Sequence, residues 1–138
     1  MAQAAPPIAP FPEAAEQAAE LEALQRLLHV SAGESSLCTA VCNSPALRNY
    51  LIERVRDTNP GVVAVDLPKG CVDVYGHVMQ EIGATTPLAI FVTGIEQSVS
   101  SGDTYHPTLR SLNASRDLWR GRFPCPVLFW MPEYVAAL

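Results

Sequence analysis

Residues 40–52 read AVCNSPALRNYLI. A run of small and β-branched residues, beginning at Leu37, stops at Asn43-Ser44-Pro45, and helical spacing starts at once. Ser44 suits the position that caps a helix, and Pro45 suits its first turn. Leu47, Leu51, Ile52 and Val55 then fall on one face. The stretch is a strand, a tight turn and a helix. In nucleotide-binding proteins such a junction carries glycines, so that backbone N–H groups can close on phosphate. It also carries a lysine for the outer phosphates and a hydroxyl for magnesium. CNSPALRN has neither the glycines nor the lysine, and Arg48 is the only cation nearby. The helix N-terminus still offers amides to an anion, although Pro45 removes one.

The same unit recurs along the chain. LCTAVC (37–42), VVAVDL (62–67), LAIFVTG (88–94) and PVLFWM (126–131) read as strands. SPALRNYLIERVRD (44–57), CVDVYGHVMQEIG (71–83) and PTLRSLNASRDLWRGR (107–122) read as the helices between them. Pro132 and Glu133 open a last helix. Strict alternation predicts an α/β fold, a three-layer parallel sheet of about four strands with helices on both faces. Each crossover is expected to be right-handed. The strands are nearly continuous apolar runs, as required when both faces are covered.

Before this domain, residues 1–11 are rich in Ala and Pro and read as a disordered tail. Residues 12–33 form an amphipathic helix with Leu21, Leu24, Leu27 and Leu28 on one side, which either covers a sheet edge, the preferred reading, or pairs with another helix. The α/β domain spans 36–138.

The chain has 138 residues, of which 49% are hydrophobic, enough for one domain with a real core. A formal net charge of -5 argues against a general nucleic-acid binder, which would want a basic stripe. No apolar run reaches the roughly 18 residues of a membrane span, and the N-terminus lacks the basic start of an export signal. The expected location is the cytoplasm, with all four cysteines reduced. No pair forms C-x-x-C, and no metal site is expected. Cys38 and Cys42 fall on one face of a buried strand. A Cys–His pair using His77 or His106 has no motif behind it.

Ligands in such folds bind beyond the carboxyl ends of the strands. The candidates there are Asn43, Ser44, Asp66, Thr93, Glu96 and Glu133. IFVTGIE resembles the strand that places an acid near magnesium in ATPases. Without a phosphate loop, Thr93 and Gly94 read as a strand-end turn and Glu96 as a solvated side chain.

Taken together, AVCNSPALRNYLIERVR, LAIFVTGIEQSV and HPTLRSLNASRDLWRGRFPCPVLFWMPEYV resemble the degenerate, STAND-type P-loop modules near the N-terminus of large bacterial proteins. Those proteins resemble NLR-type signalling and conflict proteins and often carry tetratricopeptide repeats. The likeness covers about residues 36–138. It is most specific at Leu112-Asn113 and Arg116, Pro124-Cys125-Pro126 and Pro132-Glu133-Tyr134. The resemblance implies a P-loop-like core that has lost its phosphate-binding residues. It implies a non-catalytic regulatory role through contact with a protein partner or a downstream domain, with no cofactor. The family's module usually continues further, so the domain is expected to be truncated at its C-terminus, leaving Trp130, Tyr134 and Leu138 as an apolar contact surface. The sequence does not fix the oligomeric state. Two rival readings are a nucleotide-binding switch of NTPase type and an α/β enzyme, although no G-x-S-x-G elbow is present. Strand order separates the folds. A P-loop core inserts the third strand between the first and second, whereas a flavodoxin-like core sets the first beside the second.

Overall fold

A computed structural model describes residues 14–99 and 106–138. The expected tail at 1–11 and most of the polar loop between residues 96 and 106 lie outside the described residues. Four strands, β1 (Ser36–Val41), β2 (Val62–Asp66), β3 (Ala89–Thr93) and β4 (Pro126–Met131), form one sheet. All pairings are parallel, in the order β1-β4-β3-β2. The third strand therefore lies between the first and second, accompanied by the fourth. The first is not beside the second, as a flavodoxin-like order would require.

Helices cover both faces. On one face lie α1 (Ala14–Val30) and α2 (Pro45–Thr58). Their Leu28, Leu51, Ile52 and Val55 pack with Val62, Phe91, Leu128 and Trp130 of the sheet. The expectation that α1 covers a sheet edge gives way to its alternative, pairing with a helix. Gln25 donates from Nε2 to Thr58 Oγ1 at 2.8 Å and accepts from Asn59 Nδ2 at 2.8 Å, fastening α1 to the end of α2.

The other face carries α3 (Val74–Ile82), α4 (Pro107–Ala114), α5 (Arg116–Arg122) and the short α6 (Glu133–Ala136). Val74, Val78, Ile82, Trp119, Phe123 and Val135 pack there with Val65, Ile90, Val92, Val127 and Phe129. The stretch 107–122, expected as one helix, is two. Ser115 separates them, donating from Oγ to the Leu112 carbonyl at 3.1 Å and accepting the Trp119 indole N–H at 3.1 Å. The break turns α5 so that Trp119 is fully buried, edge-on to Phe129 at 5.2 Å and to Tyr75 at 5.3 Å.

Trp119→Ala removes an aromatic anchor that joins α3, α5 and β4. Truncating a buried Trp costs about 3–5 kcal/mol, a large share of the stability of an ordinary domain. Urea unfolding followed by circular dichroism should show a fall in midpoint of that order. A loss below about 1 kcal/mol would contradict this packing.

Candidate functional site

The carboxyl ends of all four strands point to one side, and the turns that follow them meet there. After β1, Ser44 has extended backbone and its Oγ accepts the Leu47 N–H at 3.1 Å. The Ser44 carbonyl accepts the Arg48 N–H at 2.9 Å. Pro45 has no N–H to give. Of the amides that a helix start leaves open, the cap takes that of Leu47 and Pro45 has none, while the Arg48 bond is the helix's own first turn.

Asn43 reaches sideways. Its Oδ1 accepts the Glu133 N–H at 2.8 Å, satisfying an amide at the start of α6. The Cys42 N–H donates to the Met131 carbonyl at 2.9 Å, so the ends of β1 and β4 are joined twice.

The ends of β2 and β3 are joined in the same way. Thr93 Oγ1 donates to Asp66 Oδ1 at 2.8 Å, and the Leu67 N–H donates to the Thr93 carbonyl at 2.8 Å. Gly94 follows with φ +92, a left-handed conformation, and a Cβ there would stand 2.9 Å from the Leu67 carbonyl oxygen. Only glycine fits both conditions. This turn leads into a 3-10 turn at Ile95–Ser98 and carries Glu96 back across the sheet.

There the sequence reading needs correction. Glu96 is not a solvated side chain. Its Oε2 lies 3.2 Å from Arg48 Nη1, with side-chain exposures of 15% for Arg48 and 23% for Glu96. The one cation at the helix start is therefore neutralised from within the chain. Nothing local in the sequence announces this pair, whose members stand 48 residues apart. The Asn43–Glu133 link spans 90 residues and was equally hidden.

Of the candidate site residues, Asn43, Ser44, Asp66, Thr93 and Glu96 are all at the carboxyl edge, each engaged with a neighbouring chain segment. The expected contact surface divides. Tyr134 is 47% exposed and Leu138 52%, whereas Trp130 is 3% exposed. Trp130 sits on the opposite face of the sheet, 5.7 Å from the Phe91 ring, so it belongs to the core and not to that surface.

Two of the cysteines are shifted away from reactivity. Burial pushes the Cys125 thiol up to about 11. Burial, and secondarily the Asp73 carboxylate, raises that of Cys71. A nucleophilic cysteine needs the opposite shift. Cys38 and Cys42 lie on one face, as expected, against α1 and α2. Among the described residues no group of three or more His, Cys, Asp or Glu side chains is placed to hold a metal ion, and no helix is long and apolar enough to cross a membrane. Comparisons of the chain with protein-family models, with curated proteins and with solved structures gave no match.

Two outcomes follow from this geometry. Removing either member of the mostly buried pair, by Arg48→Ala or Glu96→Ala, leaves its partner uncompensated and should cost about 1–3 kcal/mol. The double variant should cost less than the sum, and strict additivity in urea unfolding would show that the two do not interact. For Cys125 the neutral thiol is favoured in the folded state. Its contribution is complete below the unfolded thiol value of 9.0 and lost as pH rises toward about 11. Relative to Cys125→Ala, wild-type stability should fall across that window by on the order of 2 kcal/mol. Parallel pH profiles would refute the burial effect.

Proposed function

We propose that this chain is a non-catalytic regulatory domain that acts by protein contact. It is a degenerate STAND-type, P-loop-like module of a bacterial signalling or conflict protein, working in the cytoplasm. The observation that carries the reading is the Arg48–Glu96 pair. At the helix start where a nucleotide-binding protein would present positive charge and free amides, the charge is cancelled, the Leu47 amide is taken by the Ser44 cap and Pro45 has none. A phosphate arriving there would have to displace Glu96 from Arg48 before gaining the attraction of that charge. The turn lacks the glycines that let a loop wrap phosphate.

Strand order supports the same reading, since the third strand lies between the first and second. Against the enzyme alternative, the Cys71 and Cys125 thiols are both shifted away from reactivity. A protein partner, or a domain of the same protein, suits the exposed apolar residues near β1 and α6. A net charge of -5 suits neither nucleic acid nor an acidic ligand.

Calorimetric titration with Mg-ATP and with Mg-GTP separates this reading from a nucleotide switch. No binding tighter than about 10 μM, equivalent to about −7 kcal/mol, is expected for either. A tighter constant, weakened by Arg48→Ala, would replace the regulatory reading with a working nucleotide site.

A further inference from the structure

We propose that the outer edge of β1 pairs, antiparallel and about a two-fold axis at Thr39, with β1 of a second copy of this chain. The proposal rests on the protein-contact reading above and names the partner.

β1 ends the sheet on one side and β2 on the other. The two edges are not equally guarded. β2 closes with Asp66 and is bracketed by Pro60 and Pro68, features that discourage strand addition. β1, SLCTAV, has no charge and no proline across six residues. Its Val41 is 54% exposed.

The phase of its backbone is fixed. The Cys42 N–H points to β4, to the Met131 carbonyl. Backbone groups alternate along a strand, so those of Leu37, Thr39 and Val41 point out of the sheet. Side-chain faces are fixed as well. Cys38 and Ala40 face α1 and α2, while Leu37 faces the layer of α4 to α6. A two-fold axis perpendicular to the sheet must keep each face continuous. With Thr39 opposite Thr39 of the second copy, every outward backbone group meets a partner, and Leu37 comes opposite Val41. Like-faced residues meet throughout. A shift by one residue would set apolar faces against the wrong layer.

Charge agrees with this register. A groove beside β1 is lined by Leu37, Thr39, Leu112, Arg116 and Leu138. Arg116 thus flanks the first half of β1. Glu133 sits at its other end, held there through Asn43. Both are exposed and on the same side of the sheet. Antiparallel pairing brings Arg116 of each copy toward Glu133 of the other, twice per dimer. A parallel arrangement would set like charges together.

A short strand pair with flanking contacts is smaller than a standard interface, so association in the micromolar to submillimolar range is expected. Sedimentation of the full chain across that range tests it. The wild type should convert reversibly from monomer to dimer. Thr39→Lys, at an exposed position whose backbone bonds face outward, places two cations on the axis and should weaken dimerisation at least tenfold with unchanged circular dichroism. Arg116→Glu and Glu133→Arg should each weaken it several-fold, and the double variant should restore it. A wild type that stays monomeric throughout overturns the proposal. So does a dimer that Thr39→Lys leaves intact. Should Thr39→Lys fail to fold, the charge exchange decides, and a double variant no better than the singles overturns the pairing. A monomer that also binds no nucleotide would sink the second-copy pairing alone, whereas tight nucleotide binding would sink the contact reading whatever the oligomeric state.

Discussion

Every residue of β3 and β4 is buried. The rest of the architecture depends on that constraint. A strand with no wet face cannot lie at an edge, and it cannot alternate polar with apolar. It must sit inside a sheet that is covered on both sides. The two central strands thereby demand two helical layers, one from α1 and α2 and one from α3 to α6. The outer strands are relieved of the demand, and their mixed burial records it. Because all four strands run the same way, four carboxyl ends and their turns gather along a single rim. Any ligand chemistry the fold could support would be assembled there.

What is assembled along that rim is a set of internal bonds. Asn43 holds α6, Thr93 holds Asp66, Ser44 holds its own helix, and Arg48 holds Glu96. Asn43, Thr93 and Arg48 each bond to a distant segment of the chain, and Ser44 to the helix it starts. The Arg48–Glu96 pair is the most consequential, because it crosses from the first strand–helix junction to the turn after β3. A helix start with an uncompensated arginine would draw anions by charge and by the helix dipole. The carboxylate removes the first of these attractions.

The strands were legible in the sequence to within a residue or two, because a continuous apolar run bounded by turn residues has few other solutions. The α2 start was equally plain, since Ser44 and Pro45 act on their immediate neighbours. Legibility failed where the deciding partner is distant. Nothing near residues 107–122 reveals a break, which Ser115 makes in concert with the burial of Trp119. The leucine stripe of α1 announces an apolar face but not what lies against it, and Gln25 settles that only through Thr58 and Asn59. Glu96 sits in a polar stretch that reads as solvated, and only the folded topology brings it to Arg48. Trp130 alternates with Phe129 along β4, and a strand buried on both sides hides which of the two faces each residue takes.

The sheet order also sets a schedule. β1 emerges first among the strands, yet among the described residues its only hydrogen-bonded neighbour strand is β4, with Ser36 beside Pro126. At translation rates of about 5–20 residues per second, a separation of that length keeps β1 waiting for roughly 5–20 seconds while β2 and β3, which pair with each other, are already available. During that interval an uncharged strand rich in small and apolar residues has no strand to join. Loop closure between its ends is entropically slow as well as late. The Ser44 cap and α1, whose leucines pack with Cys38 and Ala40, are both synthesised before β4. The topology that sets β1 at the end of the described sheet is also the one that makes it wait longest for its neighbour.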